Sequence, residues 1–195
     1  MCGILGLICN NNYHVSHEQF ININKLNFNR GPDDFGVFFH NFANNQLKLG
    51  HTRLSILDLS KNANQPMHSV SGRFTISFNG EIYNHLFLRE KIENRTPVRW
   101  RTNCDTETLL NFFEFFSIDD VFKSLEGMFS FILFDKKKNK LLVARDLAGE
   151  KPLYFSINEK FIYFSSALKT LTKIPNFDRK INNHALQFFL EKNYI

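Results

Sequence analysis

The chain has 195 residues, 43% of them hydrophobic and 22% charged, which suits one domain with a sizeable core rather than two ordinary ones. Its net charge of +5 is scattered apart from the run Lys136, Lys137, Lys138, which argues against a nucleic-acid partner, since that needs a clustered basic face. No stretch is long and apolar enough to span a membrane, and the first residues lack the pattern of a signal peptide, so no membrane partner and a cytoplasmic location are expected.

The three cysteines, Cys2, Cys9 and Cys104, form no CxxC pair and no ligand spacing with histidine. A zinc site is therefore not expected, and an odd thiol count fits a reducing compartment. The 23 phenylalanines and the frequent asparagines read as compositional bias, with core packing the expected fate of most phenylalanines.

In chain order, the apolar run over residues 3–8 predicts a buried strand almost at the start. Ser16 has the character of an N-cap, with Phe20, Ile23 and Leu26 at helical spacing behind it. Arg30-Gly31-Pro32-Asp33 then turns the chain, because proline restricts its neighbour and glycine accepts unusual dihedrals. Strands are predicted over 36–40, 46–57 and 73–78. Asn84 is read as the cap of a short helix carrying Leu86, Leu88 and Ile92, and two more helices are predicted over 106–116 and 119–125. Four strands follow, over 128–134, 140–145, 152–156 and 161–165, and then a helix over 182–190. The lysine run falls in the turn between two of these strands. Strands and helices come in blocks, which favours an α+β fold with antiparallel sheets and segregated helices.

Met1 precedes cysteine, a residue small enough to permit removal of the initiator methionine. Removal leaves a thiol and a free α-amine on one residue. An amine with a pKa of about 7.7–8.0 can accept the thiol proton near neutral pH, so nucleophile and base become covalent neighbours. Gly3 is expected to leave space beside the thiol for a substrate. Taken alone, the dipeptide is better read as a small residue after a start codon, and only the rest of the chain reverses that.

Asn79-Gly80-Glu81 follows the predicted strand over 73–78. A side-chain amide and a glycine N–H at a strand end can supply two donors to a developing oxyanion, although a hairpin turn is the commoner meaning of Asn-Gly. Arg53 interrupts a mostly apolar stretch. A buried guanidinium needs an anion that matches its fork, either a substrate carboxylate or an internal ion-pair partner. An α-amino acid would also bring an ammonium group. Glu81 and Asp105 are the carboxylates available for it, with a helix N-cap the other reading of Asp105.

Cys2-Gly3-Ile4, Arg30-Gly31-Pro32-Asp33, His51-Thr52-Arg53-Leu54-Ser55-Ile56-Leu57-Asp58 and Gln65-Pro66-Met67 occur in this order. Phe78-Asn79-Gly80-Glu81-Ile82-Tyr83-Asn84, Asp105-Thr106-Glu107 and Leu125-Glu126-Gly127-Met128-Phe129 come next. Ala144-Arg145-Asp146 and Lys151-Pro152-Leu153-Tyr154 complete the set. Together they resemble the class II glutamine amidotransferase domain of asparagine synthetases, over roughly residues 2–171. Leu54-Ser55-Ile56 after the pocket arginine favours this branch over relatives that make glucosamine phosphate or phosphoribosylamine, which carry a tryptophan-type continuation.

The resemblance implies the Ntn-hydrolase fold, a four-layer αββα sandwich of antiparallel sheets, as a single domain over residues 1–195. It implies that Cys2 attacks the side-chain amide of L-glutamine, with its own amine as base and Asn79 and Gly80 as the oxyanion hole. Arg53 would hold the substrate carboxylate, and Glu81 and Asp105 its ammonium. The backbone of Leu54, Ser55, Ile56 and Leu57 would line the pocket. A thioester then hydrolyses to glutamate, and ammonia passes on for asparagine synthesis. Hydrolysis itself calls for no cofactor; ATP and magnesium belong to a synthetase domain. The implied partners are L-glutamine, that synthetase domain or subunit, and a second copy in a homodimer.

Three positions depart from the family pattern: Asn29 for histidine, Leu147 for arginine and Ala167 for glutamate. None belongs to the catalytic set, but the last two bear on coupling to a synthetase domain. The sequence shows no SGGxDS-type pyrophosphate loop, so the synthetase half is expected to be absent and asparagine synthesis by this chain alone is not expected. Two alternatives are a glutamine-binding module without turnover, and an amidotransferase subunit for surface-sugar or secondary-metabolite biosynthesis.

Overall fold

The computed structural model describes residues 1–13, 15–56 and 58–193. Its elements in chain order begin β1 (Gly3–Asn10), α1 (His17–Lys25), β2 (Asp34–Phe42), β3 (Asn45–Arg53), β4 (Met67–His68) and β5 (Phe74–Ile82). Then come α2 (His85–Glu93), α3 (Asp105–Phe115), α4 (Ile118–Ser124), β6 (Gly127–Asp135) and β7 (Lys140–Arg145). The chain closes with β8 (Tyr154–Ile157), β9 (Phe161–Ser165), α5 (Leu168–Leu171) and α6 (Asn183–Lys192).

The strands form two antiparallel sheets, one in the order β2-β3-β1-β9-β8 and the other in the order β4-β5-β6-β7. Side-chain alternation along each strand explains the layering. On β1, Leu5, Leu7 and Cys9 face outward and pack with Phe20 and Ile23 of α1 and Leu171 of α5. Ile4 faces inward and meets Leu47 and Leu49 of its own sheet and Ile132 and Phe134 of the other. The outer face of the second sheet, with Phe74, Ile76, Phe78, Phe131 and Leu133, packs on α2, α3 and α4. The result is the αββα sandwich that the resemblance implied. The sheets approach closely at Gly6, where a Cβ would lie 2.7 Å from Ile132 Cδ1.

Local signals in the sequence account for several boundaries. Ser16 Oγ accepts the Gln19 N–H at 3.1 Å and the Gln19 side chain accepts the Ser16 N–H at 2.9 Å, a reciprocal cap that starts α1. Asn182 caps α6 by accepting the Ala185 N–H at 3.1 Å. Asn84 behaves differently from expectation. Its side chain makes no cap bond; it donates to the Ser124 carbonyl at 2.8 Å and accepts the Glu126 N–H at 3.3 Å, tying the start of α2 to the end of α4.

Three further differences bear on the site. β3 ends at Arg53 rather than running on to residue 57, and Leu57 lies outside the described residues. β5 continues through Asn79 and Gly80 to Ile82 instead of stopping at Phe78. β4, α5 and the short 3-10 turn Lys61–Ala63 carried no periodic signal long enough to predict. Phenylalanine burial is mixed: Phe20, Phe112, Phe131 and Phe134 are buried, whereas Phe87, Phe155, Phe188 and Phe189 are exposed. Among the described residues no helix is long and apolar enough to cross a membrane.

Candidate active site

Cys2 continues the alternation of β1, so its side chain shares the inward direction of Ile4 and enters a cleft at the end of the two sheets. The cleft has a volume of about 200 Å³. The Leu54 N–H donates to Cys2 Sγ at 3.4 Å, and the thiol lies 3.7 Å from the Leu54 carbonyl. Arg30 Nε donates to the Cys2 carbonyl at 3.1 Å and holds the residue from the other side. Burial pushes the thiol pKa above its ordinary value; the Leu54 backbone, the terminal amine and Arg53 oppose that shift. In the chain as written the terminal amine belongs to Met1, so the Cys2 nitrogen is an amide.

Gly3 serves a purpose other than the one expected of it. A Cβ there would lie 2.4 Å from Thr52 Oγ1 and 2.6 Å from Asn27 Cβ. The glycine lets β1 pack against these side chains, and the space it leaves is filled by protein.

Asn79 and Gly80 sit inside β5, paired with Ser130 and Phe129 of β6, which rules out the hairpin and the strand end alike. Asn79 is 1% exposed, and among the described residues its Nδ2 has no hydrogen-bond partner, although a buried amide donor left unpaired is costly. It borders the same cleft as Cys2. Gly80 is explained by strand alternation. The Phe74 carbonyl turns away from β6 to accept the Ser69 N–H at 3.0 Å. The Phe78 N–H goes to Gln65 Oε1 at 2.7 Å and the Ile82 N–H to Asp105 Oδ2 at 2.9 Å. Gly80 lies between Phe78 and Ile82 on this edge, so its N–H points into the cleft it lines. A Cβ at residue 80 would stand 2.2 Å from the Met128 carbonyl oxygen, and only glycine fits.

Arg53 is 7% exposed at the end of β3. Its guanidinium donates to the Ser60 carbonyl at 3.1 Å, to Asn64 Oδ1 at 2.9 Å and to the Asp58 carbonyl. Among the described residues it has no carboxylate in ion-pair range, so the internal ion pair is not found and its charge remains available to the cleft. Asp105 is the first residue of α3 rather than its cap, which is Cys104. Burial raises the Asp105 pKa to about 6, against the pull of the Ile82 and Thr106 hydrogen bonds, with Glu81 adding to the rise. Glu81 is half-buried and lines the cleft beside it.

The cleft thus brings together Cys2, Arg53, Leu54, Ile56, Asn79, Gly80, Glu81 and Asp105. Ser55 is not among its lining residues, and its N–H is taken by Asp33 Oδ2 at 2.8 Å. Gln65, Met128 and Lys151 also border the cleft and were given no role from sequence. For these three and for Arg30 the available signal is their place inside the ordered motifs. Of the three departures, Asn29 and Leu147 are exposed and Ala167 is the cap of α5, and none borders the cleft.

A family model described as a glutamine amidotransferase domain matches residues 1–195. The chain belongs to that family. This amidotransferase domain is 37% identical over 211 residues to a putative glutamine-hydrolysing asparagine synthetase 2 of Methanocaldococcus jannaschii, covering 100% of this chain and 40% of that protein. It is 34% identical over 201 residues to glutamine-hydrolysing asparagine synthetase 1 of Bacillus subtilis, covering 100% of this chain and 30% of that protein. The domain therefore spans well under half the length of these relatives. Among solved structures, glutamine phosphoribosylpyrophosphate amidotransferase from B. subtilis superposes with a TM-score of 0.67 at 19% identity, over 87% of this chain and 43% of that one. A structure described as the allosteric regulatory enzyme of purine biosynthesis gives 0.66 at 17% identity, over 88% and 43%. At such identities these two speak to the fold alone, and they agree on it.

Proposed function

We propose that this domain hydrolyses L-glutamine to glutamate and ammonia through a thioester on Cys2. The observation that carries the reading is the buried Nδ2 of Asn79, unpartnered among the described residues, on a residue lining the cleft that holds the thiol. An amide donor kept without a partner fits an oxyanion that forms only during reaction.

Removal of Met1 gives Cys2 the free amine that takes the thiol proton. The sulfur attacks the side-chain amide carbon of glutamine, a C–S bond forms, and the carbonyl electron pair moves to oxygen. That oxygen is stabilised by Asn79 Nδ2 and the Gly80 N–H. Collapse of the adduct breaks the C–N bond, and the protonated amine returns its proton to the departing nitrogen as ammonia. Water then cleaves the thioester and the thiol is regenerated. Arg53 holds the α-carboxylate by its fork, and Asp105 with Glu81 holds the α-ammonium. The orphan charge of Arg53 and the protonation tendency of Asp105 are each relieved when an amino acid supplies the missing counter-charge.

The identities to asparagine synthetases favour asparagine synthesis as the destination of the ammonia. Activation of the acceptor with ATP and magnesium belongs to a synthetase domain, in a longer chain or a separate subunit, since residues 1–195 carry no SGGxDS-type loop.

The test is the intact mass of the protein before and after 6-diazo-5-oxo-norleucine, alongside an assay of glutamate release. The expected result is loss of Met1, one covalent adduct on Cys2 and glutamate from glutamine. An unprocessed chain that neither labels nor turns over glutamine overturns the reading.

A further inference from the structure

His51 stands two residues before Arg53 on β3 and is fully buried. Leu47, Leu49, His51 and Arg53 alternate onto the face of β3 that looks toward the other sheet. The ring Nε2 is 3.0 Å from the Phe78 carbonyl oxygen on β5. Because the partner is a carbonyl, the neutral ring must donate from Nε2–H, which leaves Nδ1 bare; among the described residues that buried atom has no partner.

The bond matters because of where β5 stands. β4 pairs with β5 only at Ile76 and Thr75. Beyond Ile76 this edge of β5 has no neighbouring strand among the described residues, and its backbone groups are met by side chains: Gln65 for the Phe78 N–H, Asp105 for the Ile82 N–H, and His51 for the Phe78 carbonyl. The two edge-facing groups that flank Gly80 on the N-terminal side are both on Phe78. The Phe78 carbonyl and the Asn79 nitrogen also belong to one planar peptide unit. A donor that fixes this carbonyl therefore fixes the orientation from which the Asn79 side chain and the next N–H depart.

We propose that His51 is a positioning residue for the reaction: its Nε2–H bond to the Phe78 carbonyl ties the strand bearing Arg53 to the strand bearing Asn79 and Gly80, and so sets the two oxyanion donors relative to the bound substrate. The role rests on the glutaminase reading above. Burial, with Arg53 adding to it, holds the ring neutral with a pKa of about 4, so the tie is made without placing a second cation beside Arg53.

A misplacement of about 1 Å at a reacting group can cost about a hundredfold in rate, and oxyanion donors are used in the transition state alone. The experiment is steady-state glutamine hydrolysis by wild type, H51F, H51Q and H51N, each checked for folding by circular dichroism. H51F keeps an aromatic ring and removes the donor; its kcat is expected to fall about 30- to 100-fold with KM within about threefold. H51Q restores an N–H at comparable reach and is expected to recover most of kcat, a rescue that simple filling of space does not give. An H51F kcat within about threefold of wild type overturns the role, as does an H51Q variant no better than H51F. Should H51F fail to fold, H51N, polar but shorter in reach, is judged by the same kcat criterion. A wild-type protein that releases no glutamate identifies failure of the glutaminase reading itself, and the positioning role falls with it.

Discussion

Leu54 meets the sulfur of Cys2 with both of its backbone polar groups, the N–H at 3.4 Å and the carbonyl at 3.7 Å. Leu54 directly follows Arg53, which ends β3. One strand end therefore places the group proposed for the substrate carboxylate and steadies the proposed nucleophile. The bonds to sulfur hold the thiol in position, and in the proposed mechanism Cys2 supplies chemistry rather than substrate binding. Cys2→Ala should abolish glutamate release while calorimetric Kd for glutamine stays within about threefold of wild type. Full activity in that variant contradicts the mechanism.

Asn79→Ala removes a donor that is unpartnered among the described residues. The expected loss is about 100- to 1000-fold in kcat with little change in KM, as for other single oxyanion donors. Stability should hold or rise, since a buried unsatisfied amide disappears. A matched fall in stability and activity points to a structural amide instead.

Asp105 links substrate binding to pH. Burial lifts its pKa to about 6 from an ordinary 3.8, so the carboxylate that should meet the glutamine ammonium is increasingly neutral below pH 6. Glutamine affinity of Cys2→Ala is expected to weaken toward about tenfold per pH unit once below that value, and Asp105→Asn to flatten the profile while weakening binding at pH 7. A flat profile in Cys2→Ala itself removes Asp105 from the ammonium site.

The same shift has a stability consequence of opposite sense. The folded domain binds this proton more tightly than the unfolded chain, so the contribution of Asp105 is most favourable below the unfolded value and is lost as pH rises through about 6. Asp105→Asn keeps an acceptor for the Ile82 N–H and should stabilise the free domain at pH 7 by about 2–3 kcal/mol. Urea denaturation at pH 7 and pH 4 reads this, and a destabilised variant at pH 7 contradicts it.

Gly3→Ala should cost both stability and rate. The added methyl meets Thr52 Oγ1 and Asn27 Cβ at 2.4 and 2.6 Å, an overpacking penalty of about 1–3 kcal/mol, and the strand shift that relieves it moves Cys2. A variant with native stability and reduced activity alone restores the idea that Gly3 makes room for substrate.

Much of the site was legible because its residues occur as short motifs in a fixed order. Cys2, Arg53, Asn79, Gly80, Glu81 and Asp105 each answered a chemical need that could be named without coordinates, and the cleft gathers all six. The layered α+β fold was equally readable, because the apolar runs of β1 and β6 and the helical spacing of apolar residues in α1 and α3 coincide with the observed elements.

Other features depended on partners distant in sequence. Asn79-Gly80 is a turn signal by local preference, and it becomes mid-strand because β6 supplies a ladder along its whole length. Gly3 looked like space for a ligand, and the side chains that claim the space come from Asn27 and Thr52. Asn84 looked like a cap, and its bonds go to Ser124 and Glu126. The sequence by itself determined which chemistry the protein carries, since residue type sets charge, donor capacity and nucleophilicity. Only the tertiary structure decided which donors are left unpaired, because a hydrogen bond is satisfied or not by whatever the fold brings within about 3 Å of it. At Asn79 Nδ2 no described residue supplies a partner, and Asn79 lines the cleft that holds Cys2.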